Sequence, residues 1–252
     1  MKKGQTTIFI ILGLLLVIIL GLFVGYRQSF SAKQSAIEIK GIETLSPELK
    51  EAGNTVESCI KENAQQGLIL LGLQGGHLND EVETFKYNDV KVSYNFIDNK
   101  NQLPSREDMA QSLAEYLKEN VKDCLSNVDD KFEVIPSSIY SVNVDIGDND
   151  VLFKIKWPVM FKKDDIESRI DGFIFSLPVR LGILHNEVTG FITEQVSNPE
   201  EICLSCLLES SQKNSFEIEV ENYITTFVVI INDKQSSLDK VKPYKFMFAN
   251  GY

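Results

Sequence analysis

The sequence predicts an α+β fold: an N-terminal transmembrane helix, then a domain of two early helices and mostly antiparallel sheet. Three observations carry the prediction. Residues Ile8 to Gly25 form an apolar run without a single charge, about 18 residues or roughly 27 Å of helix, close to a bilayer's hydrocarbon thickness. Between Ser46 and Leu125, two long stretches repeat their apolar residues at three-to-four spacing. From Ile139 onward the period drops to two, and helices followed by antiparallel strands are the α+β order.

The apolar run starts close behind Met1-Lys2-Lys3-Gly4-Gln5, with only Thr6-Thr7 between. It is longer than the roughly 7–15 apolar residues of an ordinary secretory signal, and no Ala-x-Ala-like site closes it. Gly21 and Gly25 form a small-xxx-small pair at which a second helix can approach closely. Tyr26 and Arg27 then supply an aromatic ring and a cation at interface level. Residues 27–45 are polar with scattered apolar side chains and no proline, which reads as a stalk extending the helix, with a short linker as the alternative. The organisation expected is therefore 1–4 leader, 5–26 transmembrane helix, 27–45 stalk and 46–252 domain.

Lys2-Lys3-Gly4-Gln5 followed at once by a long apolar helix resembles the leader of archaeal type IV pilin-like proteins with a class III signal peptide. The resemblance implies cleavage between Gly4 and Gln5 by a prepilin-type peptidase, retention of the helix in the lipid bilayer, and a C-terminal domain outside the cell. The chain departs from the pattern at Phe9, where many pilins carry a Glu. Three further stretches resemble the soluble portions of such surface proteins: 57–76, 103–125 and 243–250. The basic residues alone do not orient the chain, because Lys2, Lys3 and the terminal amine on one side balance Arg27, Lys33 and Lys40 on the other.

In the domain, Ser46-Pro47 reads as a helix start, a capping hydroxyl followed by proline at the first helical position. Val56, Cys59, Ile60, Gly67, Leu70 and Leu71 form its apolar stripe, and Gly75-Gly76 ends it. Asn88-Asp89 marks a hairpin within 83–96. A second helix begins at Ser105 with Asp108 as capping-box partner, and carries Met109, Leu113, Tyr116, Leu117, Val121, Cys124 and Leu125. Next, Val142, Val144 and Ile146 alternate, Gly147-Asp148-Asn149-Asp150 turns, and Val151, Phe153, Ile155 and Trp157 alternate back. Phe173, Phe175, Leu177 and Val179 suggest a strand that Pro178 confines to an edge or a bulge. Asn198-Pro199-Glu200-Glu201 is read as the start of a short helix bearing Cys203 and Cys206. Strands are expected at 216–220, 224–231 and 244–248.

The chain has 36 acidic against 25 basic residues and a net charge of −11, which argues against a nucleic-acid partner and for a solvated acidic exterior. The four cysteines, Cys59, Cys124, Cys203 and Cys206, allow three full pairings. Cys59 and Cys124 lie on the apolar stripes of two helices, and stripe-to-stripe packing brings such positions within disulfide reach. That leaves Cys203 to Cys206.

Cys203-Leu204-Ser205-Cys206 is the sharpest chemical motif. A redox-active pair needs its nucleophile at a helix N-terminus, where the dipole favours the thiolate. A helix starting at Pro199 would set Cys203 one turn in, behind two glutamates, so a structural disulfide is the expectation and thiol–disulfide oxidoreduction the alternative. His77 and His185 both fall by expected turns and read as solvated, leaving the cysteine pair short of a zinc set. Asp145, Asp148 and Asp150 read as turn residues rather than a calcium loop, which would need its own glycine and terminal glutamate. No phosphate loop, nucleophile elbow or dinucleotide fingerprint occurs. The reading is a surface protein with a structural, adhesive or interaction role, no cofactor and no catalysis, whose partners are the bilayer, the peptidase, and further copies or other surface proteins.

Overall fold

The computed structural model describes residues 41–78, 82–138, 141–199, 201–238 and 242–251 of the 252-residue chain. The leader site Gly4/Gln5, the apolar run with Gly21 and Gly25, and most of the stalk lie outside the described residues. Among the described residues no helix is long and apolar enough to cross a membrane.

These residues form an α+β domain. Four α-helices are described, α1 (Lys50–Leu73), α2 (Arg106–Asn120), α3 (Leu181–Ser197) and α4 (Leu204–Asn214). One sheet runs β1 (Thr84–Tyr87), β2 (Val90–Ile97), β10 (Tyr244–Gly251), β9 (Thr226–Asp233), β8 (Phe216–Asn222), with β3 (Lys100–Asn101) beside β2. The other centres on β6 (Val151–Lys163), which pairs with β4 (Glu133–Pro136), β5 (Ser141–Ile146) and β7 (Ile166–Leu177). Every described pairing is antiparallel except β2 with β10.

Local chemistry explains the early elements. Ser46 starts the turn into α1 through its carbonyl, which accepts from the Leu49 and Lys50 amides. Its hydroxyl is buried without a partner and caps nothing, so the capping role read from the sequence is corrected. The far end is a Schellman closure: the Gly76 amide reaches the Leu71 carbonyl at 2.8 Å, and Gly75 and Gly76 take φ of +70° and +94°. Leu70, counted on the buried stripe, is 38 % exposed; Leu68 is buried in its place. Asn88 and Asp89 both take positive φ, as a two-residue hairpin of the favoured twist requires. Ser105 and Asp108 form the reciprocal capping box of α2. Beyond Asn120 the chain tightens into a 3-10 segment, Val121–Asn127, which carries the buried Cys124.

The later half holds the larger departures. β6 and β7 form a long ladder whose register shifts between Lys156 and Val159. The irregularity therefore sits at Pro158; among the described residues β7 pairs with β6 alone and is an edge strand as expected, although Pro178 itself lies past its end. Helix α3 is not among the elements read from the sequence. Its buried side chains Leu181, Leu184, Val188, Phe191 and Ile192 do follow helical spacing, diluted by two glycines and two threonines.

The first sheet curls strongly. β1 and β8 are the ends of its path, yet the Tyr87 hydroxyl donates to Glu221 at 2.7 Å and the Phe85 and Tyr223 rings lie 4.8 Å apart. Val92, Val228, Ile230, Met247 and Ala249 form a small core on one face. The other face joins the main core with α1, α3 and the second sheet. All eight residues of β9 are buried, the pattern of a strand covered on both faces.

Candidate functional site

The two cysteine pairs occupy different settings. Cys59 on α1 and Cys124 on the 3-10 segment are joined, with Cα atoms 5.5 Å apart, and Asn63 donates to Cys124 Sγ at 3.2 Å. Cys124 is fully buried and Cys59 half-buried, so this bond ties a half-exposed helix position into the core. Cys203 and Cys206 are joined to each other with a Cα separation of 5.3 Å, and both are only half-buried.

Cys203 is the N-cap of α4, not a residue one turn inside it. Its Sγ accepts from the Cys206 amide at 3.3 Å, and Ser205 Oγ lies 3.5 Å away. The expected helix start at Pro199 is overturned by Gln195. This residue, 1 % exposed on α3, extends its Nε2 toward the carbonyls of Asn198, Pro199 and Glu201 at 3.2–3.3 Å. Carbonyls turned to one side chain cannot run along a helix axis, so Asn198, Pro199 and Glu201 are held out of helix and the helix begins after Cys203. A lone buried glutamine near the end of an apolar stripe was the available signal.

Cys206 opens onto a groove of about 370 Å³ between α3 and α4. Val188, Phe191, Leu207 and Phe248 make its apolar lining; Glu187, Glu194 and Glu209 stand around it with one cation, Lys213. Burial pushes the Glu187 carboxyl up, but the hydrogen bond with Lys213 at 2.8 Å, contacts with Asn214 and Ser210 and the lysine's charge together leave it below its ordinary value. Lys213 is correspondingly raised by the same bond. At Gly190 a Cβ would meet no atom within 4 Å, so the groove is open above it. Leu204 and Leu208, on one face of α4, are 62 % and 60 % exposed.

The remaining candidates are engaged elsewhere. His77 is 8 % exposed and its Nε2 meets the Gln102 carbonyl at 3.2 Å; His185 lies inside α3 and its Nε2 meets the Pro104 carbonyl at 2.9 Å. The expectation of solvated loop histidines is thus corrected: both rings pin one connection, the segment leading into α2. Burial is the main cause that lowers both below the ordinary histidine value. Asp145 pairs with Lys154 at 3.0 Å and Asp148 with Arg106 at 3.3 Å. Among the described residues no three His, Cys, Asp or Glu side chains converge as a metal site. No protein-family model, curated protein or solved structure matches the chain.

Proposed function

We propose that this chain is a membrane-anchored, pilin-like surface protein, held in the lipid bilayer by its N-terminal helix and presenting residues 46–252 outside the cell in a structural, adhesive or interaction role. The observation that carries the reading is the uncharged run Ile8 to Gly25 set two residues behind Lys2-Lys3-Gly4-Gln5. Two features of the domain support it. All four cysteines are paired, as suits an oxidising compartment. The β8–β9 turn holds Ile224 97 % exposed beside the Tyr223 ring, an apolar tip suited to contact with another surface. Gly21 and Gly25 offer a helix-packing face for further copies of the chain.

The test is N-terminal sequencing of protein purified from its native membrane, together with protease treatment of intact cells. A mature start at Gln5, loss of processing in Gly4→Val with membrane insertion retained, and removal of the domain by external protease are the expected results. An intact Met1 start would sink the pilin-like reading. A domain protected on intact cells but digested after lysis would sink its outward orientation.

A further inference from the structure

Beyond that anchoring role, we propose that Cys203–Cys206 is an exchangeable disulfide that oxidises a dithiol on a basic, apolar polypeptide segment seated in the α3–α4 groove. Four independent features converge on it. Both of its cysteines are half-buried, whereas the other pair joins a half-buried Cys59 to a fully buried Cys124. It bridges a sequence separation of 3, against 65 for Cys59–Cys124, so opening it releases little chain entropy and leaves the fold intact. Cys203 is the N-cap of α4 and faces the Cys206 amide at 3.3 Å, a position that stabilises thiolate through the helix dipole and a direct N–H donor. Glu201 is exposed on the approaching loop, where solvent screens its opposing effect.

The fourth feature selects the occupant. Cys206 lines a groove with an apolar floor, three carboxylates and one lysine that is already paired with Glu187. An extended segment with apolar side chains fills the floor, and its lysines or arginines answer Glu194 and Glu209. Leu204 and Leu208 extend the apolar contact beyond the disulfide.

The exchange balances without an outside oxidant for one turnover. A thiolate of the bound segment attacks Cys203 Sγ. The bond between the two protein sulfurs breaks, Cys206 leaves as thiolate and takes a proton, and a mixed disulfide joins Cys203 to the segment. The segment's second thiolate attacks its own sulfur in that bond, closing a disulfide in the segment. Cys203 leaves as thiolate, received by the Cys206 amide and the α4 N-terminus. Two electrons pass from the segment to the protein, whose disulfide becomes a dithiol.

The experiment takes the oxidised full chain and, as probe, a synthetic reduced peptide with two cysteines among leucines and lysines. Reaction is quenched by alkylation, and thiols are mapped by mass spectrometry. Cys203 and Cys206 should become labelled while Cys59 and Cys124 stay joined. Cys206→Ser, mixed with the oxidised peptide, should hold that peptide on Cys203. Gly190→Leu, which fills the open space over α3, and Glu209→Lys, which reverses an exposed charge, should each lower the peptide rate relative to the dithiothreitol rate about tenfold. Opening of both protein disulfides at equal rates, or no capture at Cys203, would overturn the exchange chemistry. An unchanged rate ratio in both variants would overturn the groove as its docking site.

Discussion

Arg180 and Asp233 meet in the interior where α3 begins and β9 ends. Arg180 Nε donates to Asp233 Oδ2 at 3.0 Å, and Nη2 donates both to Oδ1 and to the Asn214 carbonyl. Asp233 is fully buried and also accepts from Ser236 Oγ and the Gln235 amide, while the Arg180 guanidinium lies over the Phe216 ring at 5.2 Å. One ion pair thus ties α3, the end of α4, β8 and β9 together. Removing one partner leaves the other charge buried and unpaired. Asp233→Ala should cost about 3–5 kcal/mol of stability, read as a fall in the urea midpoint, and Arg180→Lys should recover little because it loses the fork.

Two glycines make opposite predictions. At Gly72 a Cβ would press on the Lys245 carbonyl and lie 2.7 Å from the Tyr244 hydroxyl, which itself donates to the Leu68 carbonyl at 2.9 Å. Gly72→Ala should therefore cost about 1–3 kcal/mol, since backbone must shift to admit it. Gly190, with open space above it on α3, should gain about 0.5–1 kcal/mol on change to Ala from helix propensity alone. Chemical denaturation of the two variants side by side checks both signs.

The histidines predict acid sensitivity. His185 has a buried Nδ1 without a partner, and protonating it adds charge near Arg106, though Glu107 and the Pro104 carbonyl act the other way. His77 is lowered by burial against the raising effects of Gln102 and Asp108. Both folded-state values lie below the ordinary 6.5, so the unfolded chain binds these protons first. Their contribution is fully present above about pH 6.5 and is lost as pH falls toward the folded values. A double His77→Gln, His185→Gln variant keeps an amide donor at each site without a titrating group. Its urea midpoint should change less than the wild type's between about pH 7.5 and pH 5; equal slopes would refute the assignment.

The two disulfides should differ in weight. In the chain-entropy treatment, closing the 65-residue separation of Cys59 and Cys124 contributes about 4 kcal/mol. Cys59→Ser should lose much of that, whereas Cys203→Ser should lose clearly less. Thermal unfolding of both variants with the other pair oxidised gives the comparison.

What could be read from the sequence was decided within a few residues. The Asn88-Asp89 turn, the Ser105–Asp108 box and the Gly75-Gly76 helix end are local: the residues that signal each structure also make its hydrogen bonds. The alternation of 142–146 and 151–157 likewise marks two strands and the turn between them. Those elements are enough for an α+β class. Other features depend on partners far along the chain. The position of Cys203 turns on Gln195, whose buried amide takes the carbonyls that a helix from Pro199 would have used. The histidines are drawn out of solvent because the chain returns to bring Gln102 and Pro104 against them. The parallel β2–β10 pairing joins Tyr94 to Ala249, and α3 is stabilised by the sheet it covers. No short window contains either surface. Burial and hydrogen-bond satisfaction are settled only when distant segments meet, so the sequence by itself determined the elements whose signals are local, and the tertiary structure decided α3, which cysteine stands at a helix end and which groups meet water.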